Sequence, residues 1–123
     1  FIIYAGAGVS VYHAGDTAIF GDMRLLGELY QPTVGLINVG VPAMHRGAAH
    51  GAPEYLTGEM DAREAALACG WLGLRYAIPC HHDDPDLPEI VRFRALLEAA
   101  RREDASAPEP VILRPGEAFT IQG

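Results

Sequence analysis

The sequence predicts an α/β domain in the order ββ-α-β-α-β-α-ββ, with helices stacked on a sheet and hairpins along its edge. Three observations carry this. Short apolar, β-prone runs alternate with amphipathic segments of helical period. Gly- and Pro-containing turns join pairs of β-prone runs at both ends of the chain. Half of the 123 residues are hydrophobic, enough for one small domain to bury a core, so residues 1–123 read as a single domain.

Taken in order, residues 1–4 and 9–12 flank Ala5-Gly6-Ala7-Gly8, whose glycines supply the positive φ angles of a hairpin turn. These glycines lack the Gly-x-Gly-x-x-Gly spacing, and no strand-loop-helix order follows, so a turn is favoured over a phosphate-cradling loop. Met23, Leu26 and Tyr30 recur at helical spacing beside Leu25 and Leu29, and Pro32 closes that helix. Residues 34–39 suit a strand buried on both faces. Residues 40–58, rich in Gly, Pro, Ala and His without a period, read as an exposed loop. Asp61 and Glu64 form a capping box for a helix with Ala65, Ala68, Cys69 and Leu72 on its apolar stripe. Residues 76–78 form a strand. Asp86 and Glu89 then cap a helix that buries Ile90, Phe93, Leu97 and Ala100, with Glu98 and Arg102 as a surface pair. After a polar connection over residues 101–110, residues 111–113 and 118–121 form a closing hairpin around Pro115-Gly116.

Several function classes are disfavoured. The formal charge of -7 gives no electrostatic footprint for nucleic acid, whose phosphates demand clustered Lys and Arg. No run approaches the roughly 20 apolar residues of a membrane span, and no signal segment opens the chain. A cytoplasmic protein with no membrane partner is expected, its two cysteines, Cys69 and Cys80, reduced and buried. The chain opens at Phe1 inside a β-prone run, which suggests a cleaved, nicked or truncated piece.

Metal-competent side chains stand where two apolar strands stop, in His13-Ala14-Gly15-Asp16-Thr17 and in Ile78-Pro79-Cys80-His81-His82-Asp83. Parallel α/β sheets build sites at strand ends, where a rigid sheet fixes converging loops. A carboxylate can join two cations, and imidazole is the commonest neutral ligand of zinc-like metals. Gly-Asp-Thr is also an ordinary turn, because Asp hydrogen-bonds its own backbone two residues on. His45 and His50 read as surface histidines or as ligands. His13 reads as orienting its neighbours, His82 as facing substrate, supporting a ligand or facing solvent, and Cys80 as a small buried hydrophobe. Asp83 and Asp84 could bond an imidazole or cap the next helix.

The run from His13 to Thr17, Gly21-Asp22-Met23, a Leu-rich helix ending in Tyr30-Gln31-Pro32, Glu59-Met60-Asp61 before an Ala-rich helix, residues 78–83 and Pro115-Gly116-Glu117 together resemble the C-terminal half of a metallo-β-lactamase superfamily hydrolase. The likeness covers nearly the whole chain, and more narrowly the chain is similar to the branch containing ascorbate-phosphate lactonase. It implies half of an αββα sandwich. It also implies a centre of two divalent ions, zinc or alternatively manganese or iron, with Asp16 bridging both and His81 binding the second; these two would be the catalytic and metal residues. Lactone, ester or amide hydrolysis by a metal-bound hydroxide is the reaction implied. The family's His-x-His-x-Asp-His motif has no counterpart here. Its bearer would be a separate or cleaved N-terminal half, so activity would require a heteromeric or nicked assembly, and this chain alone would be inactive. His82, together with His45, His50 and Tyr55 of the long loop, would contact a small-molecule substrate. The alternative is a non-catalytic binding or assembly module of the same fold, oligomerising through an uncovered sheet face.

Overall fold

The computed structural model describes residues 1–42, 44–45, 55–56 and 58–121. Strands β1 (Ile2–Gly6) and β2 (Val9–His13) form the expected hairpin. They are followed by helix α1 (Met23–Tyr30), β3 (Val34–Asn38), the short β4 (Met44–His45) and β5 (Tyr55–Leu56), α2 (Ala62–Leu72), β6 (Tyr76–Cys80), α3 (Pro88–Glu103) and β7 (Glu109–Pro110). The main sheet has the order β1-β2-β3-β6-β7. β1 is antiparallel to β2, and the other four strands are mutually parallel.

The strand order advances in one direction, so each helix links two neighbouring parallel strands, and α2 packs against both α1 and α3. Tyr12, Ile37 and Ala77 reach from the sheet into the core, which Met23, Leu72, Ile90 and Phe93 fill from the helices. Leu36 and Ile78, cross-strand partners, are only half-buried. Where α1 meets α2, Gly27 lies directly against the Trp71 carbonyl and the Leu72 backbone, and only a residue without a side chain fits there. Met23 is buried and Gly27 makes the close contact, so Tyr30, which the helical period groups with Met23 and Leu26, stays exposed, as do Leu25 and Leu29 beside them. No helix among the described residues is long and apolar enough to cross a membrane.

Helix α2 starts as its sequence predicts. Asp61 accepts from the Glu64 N–H at 2.8 Å, and Glu64 accepts from the Asp61 N–H at 3.1 Å. Helix α3 does not. Its N-cap is Leu87, without a side-chain cap, and Pro88 stands at the first helical position, where a missing N–H costs nothing. Asp86 pairs with Arg114 at 2.8 Å, and Glu89 reaches across to α2. Ala100 is exposed, because Arg101 takes the next inward position and donates to the Ala107 carbonyl at 2.7 Å. Glu98 pairs with Arg94, one turn earlier, at 2.7 Å.

The closing hairpin is replaced by a different ending. Pro108 and Pro110 lack N–H groups, so the donors of this segment fall on Glu109 and Val111, which bond the Arg75 and Ala77 carbonyls at 2.9 Å each. The segment therefore joins the sheet as β7, parallel to β6. The Pro115-Gly116 turn does form, but Glu117 accepts the Arg114 N–H at 2.8 Å with its own carboxylate and so fills the place of a partner strand. Within the expected loop, β4 and β5 pair antiparallel, with His45 opposite Tyr55. His50 lies outside the described residues.

Candidate metal centre

The parallel strands β2, β3 and β6 finish at the same end of the sheet, running into residues 13–17, 38–40 and 80–83. At the tip of β2, Gly15 has φ +67° and donates its N–H to His13 Nδ1 at 3.0 Å. The chain reverses there, and Asp16 projects a carboxylate that is 70% exposed. At the tip of β6, His81 itself adopts a left-handed backbone, φ +66°. Non-glycine residues rarely do this, at a cost of about 1–2 kcal/mol, and such outliers concentrate at functional sites.

These two turns bring the pair together: His81 Nδ1 lies 3.4 Å from Asp16 Oδ1. That gap is long for a strong hydrogen bond, which would span about 2.7–3.2 Å. It does match two donors of one zinc-like ion, since ligands each about 2.0–2.1 Å from a tetrahedral metal stand roughly 3.3 Å apart. The donor chemistry, one anionic oxygen and one imidazole nitrogen, fits a divalent ion as well. Among the described residues no group of three or more His, Cys, Asp or Glu side chains is arranged to hold a metal, so this pair would be part of a coordination shell and not the whole of one.

Two residues that the strand-end motifs do not single out complete the surroundings. Asn38, fully buried at the end of β3, donates through Nδ2 to the carbonyl of Thr17 at 2.9 Å and to that of Gly58 at 3.4 Å. It thus ties the loop carrying Asp16 to the segment before α2. Glu59 lies in that segment, its Oε1 3.9 Å from His81 Nδ1. Gly40 makes room for it, since a Cβ there would stand 3.1 Å from Glu59 Oε2. Asn38 leaves a trace in the sequence as an amide inside an apolar strand, a place where polar groups occur only with partners. Glu59 stands in the sequence only within the Glu59-Met60-Asp61 run, which does not signal its approach to His81, because that depends on the path of the chain after β3.

The remaining candidates spread out. His82 turns inward, its Nε2 3.2 Å from the Pro79 carbonyl, and its buried Nδ1 has no partner. Asp84 accepts from the Asp86 N–H at 2.8 Å and so serves the turn before α3. Cys80 is half-buried and free. Burial, and secondarily the Asp16 charge, push its thiol up to about 11, which makes it a poor thiolate donor. His45 and Tyr55 are placed by their backbones in the β4–β5 pair.

No protein-family model matches the sequence. The curated relatives include the UPF0173 metal-dependent hydrolase of Thermofilum pendens, 38% identical over 120 residues that cover 94% of this chain and 43% of the relative. That of Rubrobacter xylanophilus is 36% identical over 121 residues, covering 95% and 41%. Among solved structures, Igni18, a metallo hydrolase from the archaeon Ignicoccus hospitalis, superposes with a TM-score of 0.66 at 30% identity, covering 94% of this chain and 42% of Igni18. The chain thus spans somewhat under half the length of the proteins it matches. The architecture is that of a metallo hydrolase of the metallo-β-lactamase superfamily. Within that class, the chain belongs to the family of metal-dependent hydrolases exemplified by these relatives and corresponds to the C-terminal half of its members.

Proposed function

We propose that the protein hydrolyses a lactone, ester or amide at a dinuclear centre to which Asp16 and His81 contribute ligands. The other ligands would come from an N-terminal half bearing His-x-His-x-Asp-His. The observation that carries this is the 3.4 Å approach of Asp16 Oδ1 to His81 Nδ1 at neighbouring strand tips. Support comes also from the relatives, which are named as metal-dependent hydrolases. Zinc suits this donor pair, as do manganese and iron.

When bound, the metal would supply Lewis acidity toward the scissile carbonyl and lower the pKa of water. The chain's own residues do the positioning. Asp16 presents two oxygens from an exposed turn whose shape Gly15 and His13 fix. His81 is directed at Asp16 by its left-handed backbone, and Asn38 holds the Asp16 loop in register with Glu59. His82, whose ring is held at the Pro79 carbonyl, faces the space beside His81 where substrate would lie. The two free cysteines suit a reducing, cytoplasmic setting.

The test is elemental analysis of the purified full-length protein, together with hydrolysis assays on lactones, carboxylic esters and amides. Two divalent ions per active unit are expected, falling to about one in His81→Gln, which removes a ligand of the second ion alone, and to one or fewer in Asp16→Asn, with hydrolysis lost in both. Full metal content in both variants would exclude these residues as ligands. A metal-free, inactive wild-type assembly would favour the binding-module alternative.

A further inference from the structure

A cavity of about 330 Å³ opens next to the Asp16–His81 pair, with His81 and His82 in its wall. This is the small end of the about 300–1,000 Å³ range of ligand pockets. Its accessible apolar surface comes mainly from Val41 after β3 and Leu87 at the start of α3, with the buried Val39 and Ile90 behind them. Val41 is largely open to solvent and Leu87 partly so, although both are apolar, and a ligand covering them would gain from their burial.

The charges in this wall have one sign. Glu59 and Glu89 line it, and no Arg stands among its described lining residues. Glu89 is already engaged: it accepts from the Ala62 N–H at 2.8 Å and lies 3.9 Å from Arg92. Among the described residues, the group recorded beside the Glu59 carboxylate is the His81 imidazole, at 3.9 Å. A carboxylate in a partly desolvated apolar pocket repels an anionic ligand group and tolerates a neutral one.

We propose that this cavity is the subsite for the leaving or acyl portion of the substrate, that it takes an uncharged aliphatic group, and that Glu59 is the residue that excludes anionic ones. Resting on the hydrolase reading given above, this narrows the substrate to neutral, mainly apolar lactones, esters or amides and away from phosphorylated or carboxylated ones. His81 lines the same cavity, so a chain bound along Val41 and Leu87 places its carbonyl end toward the Asp16–His81 pair.

The probes are hexanamide and hexanoate, the same length with and without charge, titrated into the metal-free full-length protein and followed by backbone amide shifts. Hexanamide should shift the amides of Val39, Val41, Leu87 and Ile90, and hexanoate should bind about tenfold more weakly. Glu59→Gln should shrink that gap to below about threefold, and Leu87→Trp, which fills the cavity, should abolish the hexanamide shifts. Equal binding of the two probes, shifts confined to other surfaces, or a gap unchanged in Glu59→Gln would overturn the subsite. Metal-dependent hydrolysis without hexanamide binding would sink the subsite and leave the hydrolase reading standing. Selective hexanamide binding by a protein that takes up no metal would do the reverse.

Discussion

Glu89, in the first turn of α3, accepts a hydrogen bond at 2.8 Å from the N–H of Ala62, the first residue of α2. The first amides of a helix have no partner within it, and Ala62 is fully buried, so water does not take Glu89's place. One helix therefore satisfies the start of another, and the two become a single packed unit.

Glu89→Ala should destabilise the fold by about 1–3 kcal/mol, the cost of a buried donor left without an acceptor. Glu89→Gln keeps an acceptor oxygen and should lose less than half as much. Urea denaturation of the two variants checks the order, and equal losses would show that charge rather than the hydrogen bond matters.

Gly27 and Gly70 both sit within helices, yet opposite outcomes are expected on replacement by alanine. Alanine is favoured over glycine in a helix by about 1 kcal/mol. At Gly70 a Cβ would meet nothing within 4 Å, so Gly70→Ala should raise the melting temperature. At Gly27 the Cβ would press on the Trp71 carbonyl, which is backbone and cannot swing away. Overpacking of about 1–3 kcal/mol then outweighs the helical gain, and Gly27→Ala should lower the melting temperature.

His81 has a left-handed backbone, so its substitutions separate conformation from ligation. In the metal-free protein His81→Gly should be more stable than His81→Ala by about 1–2 kcal/mol, with His81→Asn between them. All three should lose metal affinity alike. Thermal denaturation with and without added zinc reads both effects, and identical stabilities of the Gly and Ala variants would mean that the backbone relaxes.

Cys80 and Cys69 should both resist alkylation at pH 8 in the native, metal-free protein and react fast in denaturant. Burial raises both thiols above their ordinary value of 9.0, that of Cys80 to about 11 and that of the fully buried Cys69 further. Because the folded state holds these protons more tightly, the stability linked to Cys80 is complete below about pH 9 and declines as pH climbs through 11. Cys80→Ser should flatten part of that decline in a stability–pH profile.

The elements set by local chemistry were legible in the sequence. The Asp61–Glu64 capping box, the Gly-rich first hairpin and the apolar run of β3 each rest on neighbours within a few residues. The strand ends carrying Asp16 and His81 were legible for the same reason, and their resemblance to a known family named the pair before any distance was known. What escaped depends on groups far apart in the chain. Glu89 is 27 residues from the amide it serves. β7 forms because two prolines leave donors facing β6, a match invisible from the Val- and Leu-rich run that follows. The proximity of Glu59 to His81 likewise needs β3 and β6 in register.

Asn38 bonds two carbonyls with one side-chain nitrogen, one from each flanking segment. Each segment is thereby held to the same fixed amide at the end of β3. A cation arriving at Asp16 would meet an acidic rim whose spacing is already set, and little ordering entropy would be lost on capture. An Asp in place of Asn38 would turn this clasp into three oxygens facing one another and spring the rim open.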